Sequence, residues 1–414
     1  MKKTLLTLLL PVFLSGCDFI GSGKTNNVVE LTQKLKVEKV ENIKLISSYQ
    51  NIDLASSYAS TSYNISKYGL IAVPAIAKKV VYSIDKKGYV TAFSLDEKKN
   101  LWSSKIDSSN FDEYNIGGIL YSSGKLYITN GSREVTIMSA NKGEKILSKV
   151  FPDIIQTQPI MIDDKTFIVQ TISNQLIAFD TKKAEIIWTN EGEIGLISSR
   201  SHFSPILANG YVITSYNSGE LFCLNAKNGD IRWVISLSDE SSSTNFSGNL
   251  SPTVINVKPI IKDDYIYIAT SNAQLMKIKI GNGDIIWKRH IEDIQSMSLS
   301  GNKLIITTNG RQVAILSTQK GEINWVADLI NPTQKSKKLY PTLFQAPFVV
   351  HDNYNQQSLN IIASNGELYS FKIHENGVID TKPEVVNIVK NIINYWISCC
   401  DNKIYLFNHK TVNF

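Results

Sequence analysis

Apolar and polar positions alternate along most of this chain, and the alternation recurs as a module with a fixed ending. Six segments align without gaps: Val90-to-Trp102 (VTAFSLDEKKNLW), Val135-to-Leu147 (VTIMSANKGEKIL), Leu176-to-Trp188 (LIAFDTKKAEIIW), Leu221-to-Trp233 (LFCLNAKNGDIRW), Leu275-to-Trp287 (LMKIKIGNGDIIW) and Val313-to-Trp325 (VAILSTQKGEINW). Five of the six tryptophans, Trp102, Trp188, Trp233, Trp287 and Trp325, therefore share one register, and Leu147 takes that place in the second copy. The first half of each copy has the pattern of a strand with one buried face. A turn follows, such as Lys227-Asn228-Gly229-Asp230, whose Asn and Gly accept positive φ and so permit a tight hairpin. A second short strand ends on the tryptophan, which offers a large apolar face and one N–H.

Two more strands precede each copy. Ser204-to-Leu207 with Tyr211-to-Ser215 is one such pair, and Lys258-to-Lys262 with Tyr265-to-Thr270 is another. Four antiparallel strands every ~40–45 residues predict an all-β fold, a propeller of four-stranded blades. Full copies begin near Ala72, Gly117, Gln158, Ser204, Lys258 and Met297, and a degenerate seventh runs from Ala346 to about Val386. The last segment, Lys390 to Phe414, lacks an outer strand of its own. Asn42-to-Ser48 (NIKLISS) is an unpaired strand-like stretch near the start. Its pairing with the C-terminal blade would close an eight-bladed ring and leave no open edge there. The expected division is a cleaved signal over residues 1–16, a tether over 17–41 and the propeller over 42–414.

The ends change the picture. Met1-Lys2-Lys3 and the apolar run Leu5 to Leu14 have the form of a secretory signal. That run is too short to span a ~30 Å hydrocarbon core as a helix. It ends in Leu14-Ser15-Gly16-Cys17, which resembles the bacterial lipobox, so Cys17 is the expected site of lipid attachment. Acyl chains on one residue anchor a protein at ~0.8 kcal/mol per buried CH₂. In enteric bacteria an Asp after the acylated Cys, here Asp18, tends to hold a lipoprotein in the inner membrane.

Composition removes several function classes. The formal charge of +6 is spread along the chain without a basic stripe, so there is no nucleic-acid footprint. Apart from Cys17, only Cys223, Cys399 and Cys400 occur, which is no disulfide framework. Cys223 sits in a strand pattern as a small core residue. Cys399-Cys400 could form a strained ring disulfide, though a reduced or structural pair is the simpler reading. The five histidines (His202, His290, His351, His374, His409) lack metal-site spacing, so no metal is expected. Asp163-Asp164 and Asp263-Asp264 fall at hairpin turns, and Gly21-Ser22-Gly23-Lys24-Thr25 lacks the first glycine of a phosphate loop.

The Gly-Asp/Glu-Ile-x-Trp ending resembles the quinoprotein type of propeller repeat. Two families carry it: the pyrroloquinoline quinone-dependent alcohol dehydrogenases, and the BamB lipoproteins of the outer-membrane β-barrel assembly (BAM) complex. The likeness to the BamB family covers lipobox, tether, early closing strand and eight blades. It implies a non-enzymatic scaffold without cofactor at the periplasmic face of the outer membrane. It also implies docking on the POTRA region of BamA, contact with other BAM subunits and service to nascent outer-membrane proteins. The dehydrogenases are longer and carry a vicinal disulfide early in the ring, whereas Cys399-Cys400 falls in the last blade. A quinone- and calcium-dependent dehydrogenase is the alternative, as is an envelope propeller binding another peptide or a glycan. A Leu-x-Leu-Arg stretch contacts BamA in the family. The matching stretch is Ile197-Ser198-Ser199-Arg200, in which Ile197 and Arg200 keep the pattern and Ser199 departs from it. The family's second, acidic loop corresponds to Val254-to-Lys258, which has no acid.

Overall fold

The computed structural model describes residues 34–413 apart from 42, 47–48, 51–61, 107–116, 156, 193–203, 217, 238–252, 256, 332–341, 353–355, 389–394, 401–402 and 409–410. The described secondary structure is all β, and no described helix is long and apolar enough to cross a membrane. The strands form seven sheets of four and one of five. The first sheet is Ala75–Ala77, Val80–Ile84, Tyr89–Ser94 and Lys99–Lys105, and the next five repeat this order through Ile323–Asp328. Pairing within each is antiparallel, between sequence neighbours. The first strands of successive sheets approach one another, as Ile294–Ser300 approaches Phe348–His351. This is a propeller-type arrangement, with apolar side chains buried between consecutive sheets.

The repeat's tryptophan explains how one sheet finds the next. Each stands opposite the third residue of its copy, as in Ala178↔Trp188 and Cys223↔Trp233. A register shift lies beside it in all five Trp-bearing copies. Such a bulge sharpens local twist and re-aims a side chain. The indole N–H donates to a carbonyl of the following sheet: Trp102 to Ala140 (3.0 Å), Trp188 to Ala226 (3.1 Å), Trp233 to Ile280 (2.7 Å), Trp287 to Thr318 (3.1 Å) and Trp325 to Ile379 (3.3 Å).

The indole face lies on the glycine of the next copy's turn. A Cβ at Gly143, Gly229, Gly283 or Gly321 would stand 2.5, 2.6, 2.9 or 2.9 Å from Trp102, Trp188, Trp233 or Trp287. The one copy without tryptophan, ending in Leu147, is followed by the one that carries Ala184 in place of glycine.

The N-terminal region departs from expectation. The described part of Asn42-to-Ser48, residues 43–46, is not a strand. Ile43 and Leu45 are buried between the sixth and seventh sheets, and Ile46 exchanges hydrogen bonds with the Ser300 hydroxyl. The strand that pairs with the last sheet is Ser62–Asn64, antiparallel to Thr411–Asn413. Tyr49–Gln50 adds to the seventh sheet in parallel to Phe348–His351. Residues 34–41, expected as tether, run along the sixth sheet's outer strand: Glu38 and Lys39 N–H both reach the Ile323 carbonyl (2.9 and 3.2 Å). That strand is accordingly mostly buried, whereas its counterparts Ile231–Ser236 and Ile285–His290 are mostly exposed.

Two outcomes test this packing. Gly229→Ala must move the Trp188 ring and strain a backbone at φ +77°, so it should lower unfolding stability by roughly 2–4 kcal/mol. Gly210→Ala has similar φ (+79°) but open space, so about 1 kcal/mol is expected in the same denaturant titration. Likewise Leu45→Ala should cost about 2–4 kcal/mol, whereas exposed Val40→Ala should cost less than about 0.5.

Candidate docking face

Every sheet has two ends, and the described residues that lead into the long connections lie at one of them. The residue after an outer strand donates its N–H to the turn between the second and third strands of its own sheet. Examples are Ile106 to Gly88 (2.9 Å), Gly192 to Asn174 (2.9 Å), Leu237 to Gly219 (2.8 Å) and Leu329 to Arg311 (2.7 Å). The chain thus leaves each blade at a fixed point beside that turn. Such loops on a rigid frame are where binding residues concentrate.

Ile197 and Arg200, the expected BamA contacts, lie outside the described residues, as does Cys17. The roots of their loop are described. On the exit side, Asn190 accepts a hydrogen bond from the Tyr216 hydroxyl (2.8 Å). Tyr216 lies against Gly192, where a Cβ would come within 2.2 Å of its ring. Burial, reinforced by the Glu191 charge, pushes the Tyr216 phenol up, so it stays a neutral donor. On the return side, the Ser204 hydroxyl accepts the Gln158 N–H (3.1 Å), and the Gln158 amide donates to the Ile119 carbonyl (2.7 Å). The residues flanking the loop are therefore bonded to the second, third and fourth sheets. In the stretch matching the family's acidic loop, Val254 N–H reaches the Ser271 hydroxyl (3.1 Å) and Val257 is buried.

Arg311 was not singled out by its sequence. It is 4% exposed, in the turn Asn309-Gly310-Arg311-Gln312 at positive φ (57°). Its guanidinium donates to the Leu329 carbonyl (3.1 Å), the Thr342 hydroxyl (2.9 Å) and the Tyr369 hydroxyl (3.1 Å), and stacks on Phe344 at 5.4 Å. Tyr369 passes the network on to the Glu367 carboxylate (2.6 Å), which also accepts Asn331 and Asn365 amides (both 2.7 Å). Burial works against the Glu367 charge, but these bonds and the nearby Arg311 hold its carboxyl below the usual range. Leu329, Asn331 and Thr342 flank the 332–341 connection, so the network fixes both of its ends. Arg133 occupies the same place in the second sheet and donates to the Phe151 carbonyl (3.0 Å). The only sequence signal was an arginine two residues ahead of the copy's first apolar position.

The remaining sequence candidates are structural where described. Cys223 is fully buried, and desolvation pushes its thiol up to about 12. Burial opposes the Asp163 charge, yet N–H bonds from Lys165 (2.9 Å) and Thr166 (2.7 Å) hold it low at its turn. His374 pairs with Asp380 (2.9 Å) and His290 with Glu292 (3.9 Å). Among the described residues no three His, Cys, Asp or Glu gather as metal ligands. Cys399 and Cys400 end the strand Tyr395–Cys400, opposite Ile404 and Lys403. What this end of the sheets can do chemically is present donors, acceptors and charges from rigid roots.

The family model for the outer membrane protein assembly factor BamB matches residues 86–327, which span all six aligned copies. An uncharacterized protein of Rickettsia conorii is 37% identical over 416 residues, covering 100% of this chain and 99% of its own length. The outer membrane protein assembly factor BamB of Escherichia coli K12 is 23% identical over 360 residues, 85% of this chain and 87% of that one. The crystal structure of BamB from Moraxella catarrhalis superposes with a TM-score of 0.65 at 14% identity, over 85% of this chain and 98% of that one. The quinohemoprotein alcohol dehydrogenase of Comamonas testosteroni shares the fold at TM-score 0.58 and 10% identity, over 88% of this chain and 78% of that one. By the match across its repeats, the chain belongs to the family of the outer membrane protein assembly factor BamB.

Proposed function

We propose that this chain is a non-enzymatic scaffold of outer-membrane β-barrel assembly, a BAM-type subunit that docks on the POTRA region of BamA. The observation that carries the reading is the family match across residues 86–327, on a fold whose long connections emerge together at one end. In this reading the loop holding Ile197 and Arg200 meets BamA, and other connections of that end meet further BAM subunits or nascent outer-membrane proteins. The eight sheets act as the blades of a ring closed by Ser62–Asn64, which gives the loops a frame without a free end. Cys17 carries the lipid, residues 1–16 are removed, and the anchor holds the ring at the periplasmic face of the outer membrane. Asp18 makes the inner membrane the competing address. No cofactor has a part in this work.

Affinity capture of the tagged, full-length chain from envelopes solubilised in mild detergent should bring down BamA. Arg200→Glu should reduce that capture at least about tenfold, roughly 1.4 kcal/mol, with an unchanged melting temperature. Consistent absence of BamA from the captured material would sink the reading. In fractionated cells, Cys17→Ala should move the chain from the membrane to the soluble fraction, because one residue carries the whole anchor.

A further inference from the structure

Among the described residues, Tyr63 stands at the seam between the eighth and first sheets where other outer strands bring a tryptophan. The outer strand Ser62–Asn64 carries Tyr63, and the first sheet's turn carries Lys98 where four of the other five copies have glycine. Tyr63 packs on Phe93 (5.8 Å between ring centres) with the Lys98 ammonium 5.8 Å from its own ring centre. The Ile65 carbonyl accepts the Ser83 hydroxyl (2.9 Å), so the two sheets are joined. Beyond that contact a cleft of about 570 Å³ opens between Asn64–Tyr68 and the first sheet. Its size falls in the range of small-ligand sites.

The lining combines two chemistries. Tyr68 and Tyr89 are stacked (5.8 Å, 26°), and Tyr68 is exposed. Beside them, the Thr91 and Ser103 hydroxyls form a pair at 3.1 Å, and the exposed Asn100 amide offers both donors and an acceptor. The Asp85 carboxylate is fixed by the Lys87 and Tyr89 N–H groups (2.9 and 3.0 Å). An apolar ligand would strip water from these hydroxyls and amides without replacing their hydrogen bonds. The exposed charge of the lining is the Lys67 ammonium, 5.2 Å from the Tyr68 ring centre, a donor to hydroxyl oxygens, while the Asp85 carboxylate is 2% exposed. A ring with an apolar C–H face and hydroxyls around its edge satisfies both parts, with the face against tyrosine and the edge against hydroxyl, amide and ammonium. We propose that the cleft at the seam of the eighth and first sheets is an oligosaccharide-binding site.

The test uses the purified chain with chitotetraose and maltotetraose as probes, read by saturation-transfer NMR. At least one sugar should receive saturation and titrate in the millimolar range or below. Tyr68→Ala and Asn100→Ala, both at exposed positions, should each weaken binding at least about tenfold without moving the melting temperature. Ile285→Ala, on the outer strand of the fifth sheet, should leave binding unchanged. No transfer to either sugar at about 10 mM, or transfer equally strong in Tyr68→Ala, would overturn the proposal. So would an extended Thr-Val-Thr-Val peptide binding in this cleft while the sugars do not. BamA capture should be the same for Tyr68→Ala as for the unaltered chain, so the docking reading and this one fail separately.

Discussion

A tryptophan ring laid on a glycine holds successive sheets of this protein in one relation to one another. The indole buries apolar area, worth about 25 cal/mol per Å², and directs a single N–H to a fixed carbonyl of the next sheet. The glycine is required twice, because the turn needs positive φ and because the ring leaves no room for a Cβ. The constraint couples copies rather than residues within a copy. Where tryptophan is lost at Leu147, glycine is lost in the following turn at Ala184. Where the outer strand carries Tyr63 instead, the following turn carries Lys98, and a cleft remains.

The same logic explains the first described residues. An outer strand has an open edge, and on the fifth sheet that edge carries exposed Ile285 and Ile286. The sixth sheet's edge is occupied by the chain itself. Glu38 and Lys39 bond to Ile323, Glu41 pairs with the 4%-exposed Lys303 ammonium (3.1 Å), and Leu35 joins the fifth-to-sixth core. Burying Lys303 is tolerable because the Glu41 carboxylate and the Asn324 amide oxygen both accept hydrogen bonds from its ammonium. The strap then continues inward through Ile43 and Leu45 to the parallel pairing of Tyr49–Gln50.

Legibility followed the strength of each local signal. The tryptophan register, the Asn-Gly turns and the paired strands before them could be read because a repeat states the same pattern six times. The N-terminal partner of the last sheet could not be assigned to the right segment. Ile43 and Leu45 alternate with exposed Lys44 and Ile46 as strand residues would, yet their apolar side is used to fill a seam. Ser62–Asn64, which does pair with the last sheet, is three residues long and has no period to detect. Arg311 was hidden for another reason: its residue type predicts solvent, and only the meeting of two sheets supplies three oxygens to bury it. The Ile197 and Arg200 pair rested on likeness to a motif, and the described structure reaches only the roots of that loop.

Those roots connect stability to binding. A loop that must meet a partner in one geometry loses less freedom on docking if its ends are already fixed. Here each exit is tied by one backbone bond to a turn of its own sheet, and the larger connections receive more. The residues flanking 193–203 are bonded to Tyr216 on one side and through the Ser204–Gln158 contact on the other. The 332–341 connection is held by Arg311 through Leu329 and Thr342. The polar residues buried at this end are bonded to the residues that flank the connections. They fix where variable loops begin and end, and this lets a frame of indole–glycine seams carry different contacts on different blades.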